Sequence, residues 1–579
     1  MTRFLNRRSI PLFLLPIALR VIGTSAAGPP IVDLGYATYQ GVPNTETGNT
    51  EFLGIRYAAP PTGKARWREP RLPAKAEGIQ MADTQPQRCQ QAPEKVDKRN
   101  RSDLESYMDT GSPESDVEVY GEGGQEVLGE VDKGGKMVMT PVSEDCLFLN
   151  VVTPGTDFSK TSNSARKLPV VVWIHGGGYA LGSASKPGLS SMRIYDGNDL
   201  VRDSGGKVIA VLIQYRLGLF GFLAGSDVKK NGVLNAGLRD QQFALQWVQS
   251  HISKFGGDPE KVTIWGQSAG GGSVLQHLIA NGGKTHPPLF RAAMLSSAFL
   301  PSQYWYNDHI PETLYERVIR EAGCENAQDR LECLRDTDLS ALHDVNARVA
   351  EQALYGTFAF IPVVDGEFIR TSPLAALKKG KLNSRHVLAV VNTFEGRMFI
   401  DPESRDSVDV ADYLSRLFPL FRGNQIHLAM KNYENMGTPF ETVIQIMGDA
   451  IFACPTYWVL QGLKGRGYKA EFAVPPGDHI DDVLYFFPTI TPAGVPPFNN
   501  PAFTSTFSGA FMDFVRHRDP NIKSPGSILP HWPKWDRWYT KEMIFNRTGD
   551  APDIKTSSTP KGILERCEFW ESAARWTGQ

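Results

Sequence analysis

Between Val262 and Ser273 the chain reads Val-Thr-Ile-Trp-Gly-Gln-Ser-Ala-Gly-Gly-Gly-Ser. An apolar run enters Gly-x-Ser-x-Gly and leaves into a helical pattern of Val274, Leu275, Leu278 and Ile279. A strand, a sharp turn and a helix in that order are the context in which a serine serves as a nucleophile. The turn is too tight for side chains two residues either side of Ser268, hence Gly266 and Gly270. It also places Ser268 at the start of a helix, whose dipole favours developing negative charge.

A second glycine cluster, His175-Gly176-Gly177-Gly178-Tyr179, follows another apolar run. Three successive glycines let backbone N–H groups converge on one point, as an oxyanion hole requires. Gly177, Gly178 and the N–H of Ala269 are the natural donors. A serine nucleophile also needs a base, and the base needs a carboxylate to orient it. Among the histidines after Ser268, His277 and His343 fall in helical stretches and read as structural. His479 stands in Pro-Pro-Gly-Asp-His, a loop entering the apolar run Val483–Phe487 and read as a strand end. Glu395 follows the apolar run Val387–Val391, but spacing alone leaves Asp365 and Asp401 as rivals for the acid. The chemistry these residues point to is acyl transfer through a serine, without metal or organic cofactor.

Such side chains need a rigid frame. The runs Val170–Ile174, Val208–Ile213, Val262–Trp265, Ala292–Leu295 and Val387–Val391 are apolar on both faces, as buried parallel strands are. Between two of them Ala244, Trp247, Val248, Ile252 and Phe255 recur with a helical period, closed by Gly256-Gly257-Asp258-Pro259. The alternation predicts an α/β fold, one large domain with a mostly parallel sheet covered by helices on both faces. The chain has 579 residues and a net charge of −2, which argues against a strongly basic nucleic-acid binder.

The first 27 residues read as a secretory signal: Arg3, Arg7 and Arg8, then the short apolar stretch Ile10–Leu19, then Thr24-Ser25-Ala26-Ala27. Ten apolar residues closed by Arg20 are too few to span a bilayer, so no stable membrane anchor is expected. Residues 28–579 form the expected domain, with an acidic surface insertion at about 94–140. Its segment 102–132 holds ten acids and no Lys or Arg, too polar to build a core of its own. A secreted destination makes disulfides expected among Cys89, Cys146, Cys324, Cys333, Cys454 and Cys567. Asn100 and Asn546 begin glycosylation sequons.

In order along the chain stand Phe52-Leu-Gly-Ile-Arg-Tyr-Ala58, Ser143-Glu-Asp-Cys146, His175–Tyr179, Gln214-Tyr-Arg216, Phe255–Pro259 and the Gly266–Gly272 elbow. Pro362-Val-Val-Asp-Gly366, Glu395-Gly396 and His479-x-x-Asp482 follow. This series resembles the type-B carboxylesterase family, which includes cholinesterases, fungal lipases and the non-catalytic neuroligins. The resemblance implies an α/β-hydrolase fold, a Ser268/Glu395/His479 triad and a structural turn at Asp365. It also implies the pairs Cys89–Cys146, Cys324–Cys333 and Cys454–Cys567. Lys136 stands where cholinesterases carry a choline-binding Trp, and Gln267 where they carry an acid. Choline esters are thereby disfavoured. The charged insertion sits where fungal lipases carry an apolar lid, which favours soluble or short-acyl esters. A lipase or a sterol- or aromatic-ester hydrolase is the alternative. A neuroligin-like adhesion protein is a weaker one, because all three triad positions are filled.

Overall fold

The computed structural model describes residues 28–92, 129–131, 137–139, 142–184, 195–491 and 493–579. The expected signal segment, Asn100, Lys136 and most of the acidic insertion lie outside the described residues.

The apolar runs assemble into an eleven-stranded sheet. In chain order its strands are β1 (Val42–Asn44), β2 (Asn49–Arg56), β3 (Phe148–Pro154), β4 (Leu168–Ile174), β5 (Ile209–Ile213) and β6 (Gly257–Gln267). β7 (Ala292–Ser296), β8 (Val387–Asn392), β9 (Gly467–Phe472), β10 (Lys541–Thr548) and β11 (Ala551–Ser558) complete it. The spatial order is β11-β10-β9-β8-β7-β6-β4-β5-β3-β2-β1. From β5 through β10 neighbours run parallel, and antiparallel strands close both edges. This is the α/β-hydrolase arrangement.

Alternation along each strand divides the core. Val170, Val172 and Ile174 of β4 face one layer, with helices α1 (Ala236–His251) and α2 (Ala269–Gly283). Val171 and Trp173 face the other. There Trp173 meets Trp265 edge-on at 5.0 Å, and Trp265 stacks on Phe511 at 5.4 Å. The helical stretch Pro439–Leu463 is long and apolar enough to cross a bilayer, yet 83% of its most apolar window is buried inside the protein. It comprises α3 (Pro439–Gly448), a π turn over Asp449–Ala453, and α4 (Cys454–Leu463). Phe511 belongs to α5 (Pro501–His517), and α6 (Lys561–Thr577) closes the chain.

One reading changes. The run Val483–Phe487 is not a strand: Val483–Phe486 form a short helix, and the strand that leads to His479 is β9. β9 reads Gly-Tyr-Lys-Ala-Glu-Phe, so the apolar pattern missed it. Its Lys469 is fully buried and pairs with Glu542 of β10 at 3.2 Å. An ion pair there stands in for apolar contacts.

The three disulfides are Cys89–Cys146, Cys324–Cys333 and Cys454–Cys567, the pairs the resemblance implies. A second buried ion pair ties α1 to the loop after β5: Arg216 grips Asp240 through Nε and Nη2, both at 2.7 Å. Replacing Arg216 with Met leaves Asp240 charged and unpaired in the core. Such losses cost about 3–5 kcal/mol. Chemical denaturation of Arg216→Met should show a loss of that order, whereas the exposed pair Lys561–Glu565 should be near neutral on removal.

Candidate active site

β6 delivers Ser268 into a conformation few side chains adopt, φ 57° and ψ −123°, immediately before α2. The turn survives because its neighbours lack side chains. A Cβ on Gly270 would lie 2.0 Å from the Ile174 carbonyl oxygen, and one on Gly266 2.4 Å from the Gly270 carbonyl. Pairing of Ile174 with Gly266 in adjacent parallel strands makes that approach close. The same register puts the loop after β4 beside the serine. A Cβ on Gly176 would fall 3.0 Å from Ser268 Cβ.

Gly177 and Gly178 have φ of 101° and 60°. Among the described residues no hydrogen bond within the protein takes up either of their N–H groups. Ala269 opens α2, so its N–H also has no intrahelical acceptor.

Glu395, on the loop after β8, brings Oε2 to 2.5 Å from His479 Nδ1. Its other oxygen accepts from the Asn392 N–H at 2.6 Å and the Ser297 hydroxyl at 2.7 Å. Asn392 in turn donates to Ser297 Oγ and to Asp482 Oδ1, and accepts from the Asp482 N–H. Burial pushes the Asp482 carboxyl up to about 7, with Asn392 opposing and the Glu395 charge adding to the shift. Asp478 is also raised by burial, with Arg397 at 2.7 Å pulling the other way.

Phe399 and Phe452 wall the His479 ring, at centroid distances of 5.0 and 4.6 Å. Phe452 lies in the π turn between α3 and α4. Such turns inside helices re-aim side chains. Gln267 also reaches the ring, its Nε2 lying 3.1 Å from His479 Nε2.

The rivals are occupied elsewhere. Asp365 accepts from the Glu367 and Ile369 N–H groups and from Asn235, so it pins a turn. Asp401 caps a short 3-10 helix through the Glu403 N–H. His277 is buried against Gln241, and burial pushes it down to about 3. His343 bonds Gln90. Sequence reasoning missed Ser297 and Asn392, because a lone Ser or Asn carries no pattern. Position offers a signal for both: they stand at the carboxyl ends of β7 and β8, where open α/β sheets place their sites.

The elbow's tolerance can be measured directly. Gly270→Ala forces backbone movement at the serine, and we expect at least a 100-fold fall in kcat for any ester the protein turns over. Gly509→Ala, in α5 with open space around it, should leave turnover unchanged.

Comparison with known proteins places the chain in a family. Residues 29–570 match the family model described as the carboxylesterase family. Carboxylesterase patB of Aspergillus clavatus is 29% identical, over 97% of this chain and 98% of its own. A secreted lipase of Arthroderma benhamiae is 29% identical, over 77% of this chain and 86% of its own. Among solved structures, EstA of Aspergillus niger superposes with a TM-score of 0.76 at 29% identity, covering 95% of this chain and 99% of that one.

Proposed function

We propose, from the premise that this chain belongs to the carboxylesterase family and is a carboxylic ester hydrolase, that it is a secreted enzyme working through Ser268, His479 and Glu395. The observation that carries this reading is the 2.5 Å contact of Glu395 with His479 beside a serine on a strained elbow. His479 takes the Ser268 proton as Oγ bonds to the ester carbonyl carbon. Gly177, Gly178 and Ala269 donate their N–H groups to the oxyanion. The imidazolium, held by Glu395, then protonates the departing alcohol as its C–O bond breaks. Water repeats the sequence on the acyl-enzyme and releases the acid. Secretion is supported by the signal-like first 27 residues, by the three disulfides and by the wording of the secreted relative. Asn546, half-buried on β10, is retained as a candidate glycan acceptor.

Soluble or short-acyl esters remain the favoured substrates. The Phe358 ring occupies the space over Gly178: a Cβ on that glycine would lie 2.1 Å from ring atoms. Phe358 continues through Phe299 and Phe452 to His479 as a chain of aromatic contacts. Such a wall beside the oxyanion donors limits the room for an acyl chain.

Ser268→Ala should abolish hydrolysis of 4-nitrophenyl acetate while leaving the melting temperature within a few degrees. Retained turnover would exclude the serine mechanism. Phe358→Ala opens the site toward a cleft lined by Ala92, Ala180, Ala350 and Ala353. In a 4-nitrophenyl ester series from C2 to C12, its optimum should move to longer chains. Measured across the solubility limit, a rate jump at the interface in the wild type would favour the lipase reading instead.

A further inference from the structure

We propose that Gln267 is a positioning residue for the general base, holding His479 Nε2 through its amide nitrogen at rest and through its amide oxygen once the ring is charged. This rests on the reading of Ser268 and His479 given above. The His479 ring is gripped from both ends: Nδ1 lies 2.5 Å from Glu395 Oε2, and Nε2 lies 3.1 Å from Gln267 Nε2. A neutral ring whose Nδ1–H faces the carboxylate presents a lone pair at Nε2, so the amide N–H donates into it. Among the described residues Ser268 Oγ makes no hydrogen bond to the ring. At rest, then, the lone pair that must take the serine proton is occupied by the residue just before the serine.

The amide is buried, with 2% of Gln267 exposed. Its oxygen end lies over Gly176, where a Cβ would come within 2.8 Å of Oε1. The missing side chain of Gly176 leaves room there. When Ser268 Oγ bonds to the substrate, its proton passes to Nε2, and an N–H would then face the amide N–H. The terminal torsion of a glutamine is broad and roughly two-fold. A half-turn replaces that repulsion with Nε2–H donating to Oε1. Passage of the proton to the leaving alcohol reverses the turn. Gln267 exchanges no proton itself.

An amide can do both. A carboxylate at this position accepts from the charged ring but cannot donate to the neutral one, and a thioether does neither well. The charged groups around His479 are Glu395 and Arg397 from the loop after β8, with Asp478, Asp481 and Asp482 from its own loop. Phe399 and Phe452 bring no charge, and neither does Gln267 from the elbow. A new anion at 267 therefore adds to a negative surrounding and favours the imidazolium.

The test uses the full chain with 13C-labelled histidine, in wild type, Gln267→Glu and Gln267→Met. The His479 ring signal, assigned by its absence from His479→Gln, is titrated by NMR. kcat/KM for 4-nitrophenyl acetate is followed over the same pH range. Gln267→Glu should raise the ring's midpoint by about one unit or more, as opposite charges at this distance do. The acid limb should move with it, so activity is lost at higher pH than in wild type. Gln267→Met should move the midpoint by less than half that shift, yet lower kcat about tenfold with KM within twofold. An unmoved midpoint in Gln267→Glu, or wild-type kcat in Gln267→Met, would overturn the proposal. Absence of turnover in the wild type would defeat the reading of the serine site, and the NMR midpoint would still decide the role of Gln267.

Discussion

The site depends on how closely two parallel strands end beside each other. β4 and β6 are neighbours with Ile174 opposite Gly266, and the backbone of the elbow passes against the Ile174 carbonyl with no space for a methyl group. That approach fixes the serine, and the same register fixes the Gly176–Gly178 loop next to it. Shifting β4 by one residue would exchange Trp173 with its neighbours across the sheet and separate the two loops. Packing on both faces of the sheet, including the Trp173–Trp265 contact, opposes such a slip. Core and chemistry are therefore held by one alignment.

Charge organises the remainder. Glu395 is buried, yet its carboxylate meets the Asn392 N–H, the Ser297 hydroxyl and the His479 ring. Those donors replace the water lost on burial, which is what lets an acid occupy a dry site. Ser297 has φ of 50°, so some backbone strain is accepted to aim its hydroxyl. Asp482 braces Asn392 from the opposite side. The acid is thus positioned by its own loop and by two segments remote from it in sequence, one at Ser297 and one at His479–Asp482.

Legibility in the sequence followed the physics of each feature. Strands with continuous apolar runs, such as β4, β5 and β8, could be read because burial on both faces leaves no alternation to misinterpret. β9 could not, since the buried Lys469–Glu542 pair disguises a core strand as a polar one. Val483–Phe486 misled in the opposite sense: a run of four to five apolar residues fits either a strand or one helical turn. The elbow and the glycine loop were legible because their steric demands select glycine at set spacings. Glu395 could be told from Asp365 and Asp401 only by resemblance. All three follow apolar stretches, and their separate tasks emerge from tertiary hydrogen bonds.

The disulfide between Cys454 and Cys567 has a consequence for when the site becomes complete. It ties α6 to the start of α4, directly beside the π turn that presents Phe452 to His479. Arg566 and Tyr433 fasten the same turn through Asp449. A chain emerging from the ribosome exposes Ser268 some 300 residues before it supplies Cys567. Until then Phe452 lacks its backing, and the bond between Cys454 and Cys567 cannot form. The backing of a site whose elbow is made early is thus finished last, with the helix that ends the described chain.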